Sequence, residues 1–238
     1  MISEFKNQDA LHYLQSLEPK CVNFVLTDPP YAISRASGFS SGDAKGKDTD
    51  RFRVSYDFGE WDTVDLDYFK EVFTETYRVM VNGATMVVFY DQWKLQELKD
   101  VLECIGFKMF RMIEWVKTNP VPINSKSIYL SNAKEYAIVC VKGGRPKFNA
   151  TYHKGVFEYP IYHAKDRWHT TQKSLPLFEE LVRLHTDEGD VVLDMFSGSA
   201  TTQVAAIRQH RLYAGCEKNA EFFNKSKMRV EENEKIYS

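Results

Sequence analysis

The sequence predicts an α/β protein: a mostly parallel sheet with helices on both faces. Three observations carry this. Helical and strand patterns alternate along the 238 residues. The strand candidates are short, apolar and rich in β-branched residues, as strands buried on both faces are. Several of them end in an acid followed by a loop, and sheets of this class bind ligands outside the carboxyl ends of their strands.

The elements follow in order. Asp9 to Leu17 reads as a short helix. Val22 to Thr27, "VNFVLT", is a buried strand. Residues 34–60 are rich in Gly, Ser and charge and read as a long mobile loop. Leu66 to Val81 has helical spacing, with Leu66, Phe69, Val72, Phe73, Thr76, Tyr77 and Met80 on one stripe. "NGA" (Asn82 to Ala84) reads as its stop, and Thr85 to Tyr90 as a strand. Trp93 to Ile105 is a helix, and Lys108–Lys117 and Glu135–Val141 are strands. The pattern is lost over residues 142–173. It returns with a helix over Leu175–Thr186, a strand at Asp190–Phe196 and a helix at Thr201–Gln209. A strand at Arg211–Glu217 and a helix at Asn219–Glu234 complete the chain. This organisation reads as one domain over residues 1–238 with two insertions, about 34–60 and 142–168.

Composition narrows the class. Some 43% of residues are apolar and 14% aromatic, which is globular. No apolar run approaches the ~18 residues needed to span a membrane, and the first residues carry acids and no long apolar stretch. Cys21, Cys104, Cys140 and Cys216 form no CxxC pair. They read as buried free thiols in a reducing cytoplasm, with no disulfide and no metal site. The net charge is −2, so a nucleic-acid partner must meet a local basic patch.

Two strand ends carry chemistry. The first is "VVLDMFSGSATT". The strand ends at Asp194, and "FSGSA" turns the backbone before a helix whose first N–H groups are open. Gly198 permits close approach of a ligand. About twenty residues on, the next strand ends in Glu217, placed to accept hydrogen bonds from ribose hydroxyls. The loop lacks Gly-Lys-Ser/Thr, which argues against a triphosphate site. One glycine where a dinucleotide fingerprint wants three argues against NAD. A nucleoside without a pyrophosphate suits it; an ordinary strand-helix turn is the plainer alternative.

The second is "NFVLTDPPYAIS", where Asp28 closes a strand and two prolines fix the backbone. The Asp28 carboxylate and the Pro29 carbonyl are acceptors only. Side by side they can hold the two hydrogens of an amino group, while Tyr31 offers a face for a ring to stack on. That suits an exocyclic amine on a planar base.

At these residues the sequence resembles the S-adenosylmethionine-dependent DNA amino-methyltransferases, whose signature is Asp/Asn/Ser-Pro-Pro-Tyr/Phe. The likeness continues in order. "RVMVNGATMVVF" resembles the family's "RVLKPGGTLVIF". "IEWVKTNPVP" resembles "IIWxKxNPxP", "RWHTTQKS" resembles "HPTQKP", and "LDMFSGSATT" resembles "LDPFxGSGTT". With the amine-binding corner first and the cofactor loop last, the order is the circularly permuted β-type.

The resemblance implies a Rossmann-like sheet of seven strands, one antiparallel. It implies that Asp28, Pro29 and Pro30 form the amine corner and that Tyr31 stacks on a base flipped out of double-stranded DNA. Asp194, Phe196, Ser197, Gly198 and Ser199 would surround the methionine part of S-adenosylmethionine, and Glu217 its ribose. Thr171, Gln172 and Lys173 would approach its carboxylate. Asp9 matches the family's "GDxL" and would meet the adenine; the same residue also suits a helix N-cap. "HTTQKS" lacks both family prolines, Met195 replaces a proline and Ala200 a glycine.

Residues 142–173 hold seven basic side chains against two acids, with six aromatics interleaved. Arg145, Lys147, Lys154, Lys165 and Arg167 are therefore candidate DNA contacts. In the family, target recognition lies in this region. Trp115, Lys117 and Asn119 are candidates to line the base pocket, with core packing of Trp115 as the alternative.

An aspartate at position 28 is more usual in the adenine-N6 group, and serine in the cytosine-N4 group. The sequence thus reads as a site-specific DNA adenine-N6 methyltransferase. Cytosine-N4 methylation by the same fold, and an inactive DNA-binding relative, stay open. Many members of the family form homodimers. The sequence names neither a recognition site nor a restriction-endonuclease partner.

Overall fold

Alternating apolar side chains make the central strands two-faced, and that fixes where the helices go. In the strand β2 (Val22–Thr27), Phe24 and Leu26 face one layer and Val25 the other. In β3 (Met80–Tyr90), Val87 and Phe89 join the first layer, and Met86, Val88 and Tyr90 the second. The protein, seen as a computed structural model, is described over residues 3–30, 66–120, 131–162 and 172–237.

The remaining strands are β1 (Glu4–Asn7), β4 (Lys108–Lys117), β5 (Lys134–Val141), β6 (Val156–Tyr159), β7 (Val191–Asp194) and β8 (Leu212–Glu217). They form one sheet of order β1-β8-β7-β2-β3-β5-β4-β6. All neighbours are parallel except at β5, which is antiparallel to β3 and β4. Among the described residues one strand is reversed, as expected, and the sheet has eight strands where seven were expected. Two of the eight carry almost no pattern. β1 is "EFKN", four residues with two exposed, and β6 is "VFEY" within the basic segment.

Helices α1 (Ala10–Ser16), α2 (Leu66–Val79) and α3 (Leu95–Ile105) cover one face, around Tyr13, Leu14, Phe73 and Leu102. Helices α4 (Leu175–His185), α5 (Thr201–Arg208) and α6 (Ala220–Tyr237) cover the other, around Phe178, Leu181, Ala205 and Val230. No described helix is long and apolar enough to cross a membrane. Trp115 belongs to this second core, 1% exposed, with its indole N–H donated to the Tyr159 carbonyl at 2.8 Å. All four cysteines are free, but only Cys140 and Cys216 are buried; Cys104 is exposed on α3, away from the apolar stripe of Leu98 and Leu102.

"NGA" does not end a helix. α2 stops at Val79, and β3 runs through Asn82 and Gly83 at a break in its register with β2. Gly83 has φ +84°, and a Cβ there would lie 2.6 Å from the Arg145 carbonyl oxygen. The glycine serves close approach between β3 and the chain leaving β5, not a helix cap.

Because β5 is antiparallel, its carboxyl end lies at the opposite rim of the sheet from the ends of β2, β7 and β8. The basic segment begins there. Lys142 is buried, and its ammonium donates to the carbonyls of Arg78 and Met80. Asn149 docks on the end of α4 through the carbonyls of Arg183 and Thr186. His185 is clasped here between Phe24 and Phe148, with ring centroids 5.1 and 5.3 Å away. Its Nδ1 is buried without a partner.

Burial lowers the His185 pKa to about 4. The unfolded chain therefore takes up a proton near ~6.5 that the folded state refuses until about pH 4. Stability is complete above the unfolded value and falls as pH drops through that window, by up to about 3 kcal/mol. Urea unfolding of the wild type and His185→Phe between pH 7 and 4 should show a shallower acid loss in the variant. Parallel curves would remove His185 as the cause.

Candidate active site

Four strand ends meet at one rim: β2 with Asp28, β7 with Asp194, β8 with Glu217, and β1 leading into Asp9. β2 and β7 are neighbours, yet the chain leaves β2 for β3 on one side and β7 for β8 on the other. This is a topological switch point, where the loops part and leave a crevice.

Asp194 holds the crevice together. Its Oδ1 accepts from Thr27 Oγ1 at 2.7 Å and from the Phe196 N–H at 3.0 Å; its Oδ2 accepts from Thr202 Oγ1 at 2.7 Å. The carboxylate is 4% exposed. Burial pushes its pKa up to about 6 against these hydrogen bonds, and neighbouring Asp28 adds to the rise. Asp194 thus clamps β2, β7 and α5.

The loop after it is braced from every side. The Ser197 N–H donates to the Cys216 carbonyl, and Ser197 Oγ to the Asp194 carbonyl. The Gly198 N–H donates to Glu217 Oε2 at 2.9 Å, and the Asn219 N–H to Glu217 Oε1 at 2.8 Å. From α6, Ser226 donates to the Gly198 carbonyl and Arg229 to that of Ser199. Gly198 and Ala200 both take left-handed backbone, φ +48° and +57°. Ala200 thus accepts the strain that a glycine would avoid. Phe196 lies edge-on to Phe69 of α2, centroids 6.0 Å apart. Gly215 of β8 is needed as glycine: a Cβ there would press on the Gln203 side chain and lie 2.9 Å from the Asp194 carbonyl.

Asp9 caps α1 by accepting from the Leu11 N–H at 3.1 Å. It also accepts from Tyr68 and faces Lys218 at 3.3 Å, beside Glu217. Asp9 is thus the N-cap of α1 and stands at the crevice.

At the amine corner Lys173 lies 2.9 Å from Asp28 Oδ2 and 2.6 Å from Glu135 Oε2, and Lys117 lies 2.8 Å from Glu135 Oε1. Burial pushes the Glu135 carboxyl up, but the ammoniums of Lys173 and Lys117 outweigh it and hold the pKa at about 2. Nothing in the sequence singled out Glu135.

A family model described as DNA methylase, that of the N6/N4 methyltransferases, matches residues 22–228. The chain belongs to this DNA methylase family. The Type II methyltransferase M2.DpnII of Streptococcus pneumoniae is 28% identical over 250 residues, covering 96% of this chain and 90% of that protein. M.HinfI of Haemophilus influenzae is 25% identical over 256 residues, covering 97% and 70%. Among solved structures, the M1.HpyAVI–SAM complex is 25% identical with a TM-score of 0.69, covering 96% of this chain and all of that one. The cytosine-N4-specific PvuII methyltransferase is 18% identical with a TM-score of 0.73, covering 100% and 92%, a likeness of fold.

The methylase reading expects Asp28, Asp194, Phe196–Ser199, Glu217, Asp9 and Lys173 at one site, and the structure brings them to one rim. Lys173 sits on Asp28. Gln172 is buried beside it, with its Oε1 lacking a partner. Tyr31, Thr171, Lys165 and Arg167, with the 34–60 loop, lie outside the described residues. Arg145 and Lys147 are not at this rim: they follow β5 at the other end of the sheet, where Lys147 pairs with Asp187. Lys154 precedes β6 on the outer edge. Asn119 receives the Ile161 N–H at 2.7 Å and so pins the chain beyond β6.

The clamp makes a test. Thr27→Val keeps the side chain's shape and removes one donor from a buried carboxylate, so it should cost about 1–3 kcal/mol in denaturant unfolding. No loss would mean that Asp194 is not held as described.

Proposed function

We propose that this methyltransferase acts on the N6 amine of adenine in DNA, at a specific site, with S-adenosylmethionine as methyl donor. The observation that carries the reading is the contact between Thr27 and Asp194. Across it, the acceptor pair of the amine corner lies beside the nucleoside-type loop.

The donor set fits the cofactor. Asp9 and Glu217 are acceptor-only carboxylates at neighbouring strand ends, suited to an amine and a diol, and the Glu217 carboxylate is fixed by two backbone N–H groups. Residues 196–200 would hold the methionine part. When bound, S-adenosylmethionine supplies an electrophilic methyl group. The protein's part is orientation and charge. Asp28 and the Pro29 carbonyl accept the two amine hydrogens, which turns the nitrogen lone pair away from the ring and towards the methyl. Asp28 also stabilises the positive charge that grows on that nitrogen. An ordinary carboxylate, with pKa near ~3.9, is too weak a base to deprotonate the amine beforehand, so the proton leaves after transfer.

The base must leave the duplex to reach this corner, and Tyr31 is placed in sequence to stack on it. We assign DNA contact to the later part of the basic segment, with Lys165 and Arg167 as its candidate contacts. Residues 1–238 are read as one domain with insertions at 34–60 and 142–168. Self-association fits the same reading: β6 covers β4 only from Glu114, and Met109 and Met112 are exposed along the remainder.

The test is methyl transfer from labelled S-adenosylmethionine to unmethylated DNA, followed by digestion to nucleosides. Label in N6-methyladenine is expected, with loss of at least ~10³-fold in Asp28→Ala. Label in N4-methylcytosine would keep the mechanism and overturn the base. No label despite cofactor binding would overturn the activity.

A further inference from the structure

The amine corner contains more charge than holding an amine requires. Lys173 is 9% exposed and donates to two carboxylates, Asp28 at 2.9 Å and Glu135 at 2.6 Å. The face of Phe89 lies under its ammonium, 5.3 Å from the ring centroid. Glu135 in turn holds Lys117, which lies over Trp115 at 5.5 Å. The line Asp28, Lys173, Glu135, Lys117 alternates in sign. It crosses from the end of β2, through the segment leading into α4, to β5 and β4. Asp194 on β7 is a further acid near Asp28.

A lysine held against Asp28 has two effects. It fixes the rotamer of the carboxylate, which helps to aim the other oxygen. It also opposes the negative charge that must meet a nitrogen becoming positive. The second effect slows methyl transfer unless the lysine's own charge is balanced from behind. Glu135 is the group behind it. Its carboxylate is held ionised by two ammoniums, well below the usual carboxylate range.

We infer that Glu135 is a positioning residue for methyl transfer: through Lys173 it fixes the Asp28 carboxylate and cancels the lysine's charge, leaving Asp28 negative towards the amine. This rests on the methyltransferase reading above.

The experiment measures single-turnover methyl transfer to unmethylated DNA, and cofactor dissociation constants, for five forms of the full chain. They are the wild type, Glu135→Gln, Glu135→Asp, Lys173→Met and the Gln/Met double variant. Glu135→Gln should slow transfer on the order of tenfold at saturating cofactor and DNA, with its cofactor dissociation constant unchanged. Glu135→Asp, which keeps the charge, should recover part of the rate. In the Lys173→Met background, Glu135→Gln should change the rate by less than about twofold, because the charge it balances is gone. A wild-type rate in Glu135→Gln overturns the inference. So does an equal loss in the Lys173→Met background, or a loss expressed only as weaker cofactor binding. These results leave the methyltransferase reading intact. A wild type that transfers no methyl group overturns that reading, and this inference with it.

Discussion

The Asp194 carboxylate is the point on which the rest of the site depends. A carboxylate out of water is costly unless hydrogen bonds replace its hydration. Here three donors do so, and they come from three elements: Thr27 closes β2, Phe196 follows β7, and Thr202 opens α5. Each donor is held because the carboxylate needs it, and each drags its element along. The distance between the end of β2 and the loop after β7 is therefore set by a buried polar cluster rather than by loop geometry.

That clamp explains how the loop tolerates its departures from the family pattern. Ala200 stands in left-handed backbone where glycine is usual, at a cost of roughly 1–2 kcal/mol. The turn is over-determined: Glu217 receives its Gly198 N–H, Ser226 and Arg229 bind its carbonyls, and Gly215 leaves room for Gln203 beneath. Local strain persists where the surroundings fix the conformation. Helix α6 thus serves the site from below, although none of its residues lies on a strand end.

Charge is distributed unevenly between the two rims. At the active rim, Asp28, Lys173, Glu135 and Lys117 alternate in sign and pair with one another. At the far rim, Lys142 is spent on carbonyls and Lys147 on Asp187. The basic segment is therefore two things in succession. Its first part buttresses the sheet end around Gly83 and α4, and its next part supplies β6 at the edge of the sheet. Composition alone joins them into one patch; the reversed direction of β5 separates them.

The sequence by itself determined the elements with strong periodicity and the chemistry at their ends. Buried strands such as β2 and β7 announce themselves because both faces must be apolar, and Asp28, Asp194 and Glu217 stand out as acids that close such strands. Short elements left no such mark: β1 and β6 are four residues each and take their conformation from their neighbours' open edges. Asp9 and the cap of α1 were legible together because the capping rule is local. What only the tertiary structure decided is everything that depends on strand order. Glu135 and Lys173 lie 38 residues apart and Thr27 and Asp194 lie 167 apart, and no local rule couples residues at such separations. The same holds for Gly83, which sequence spacing offers as a helix stop, and which the fold uses where two chain segments pass too closely for a side chain.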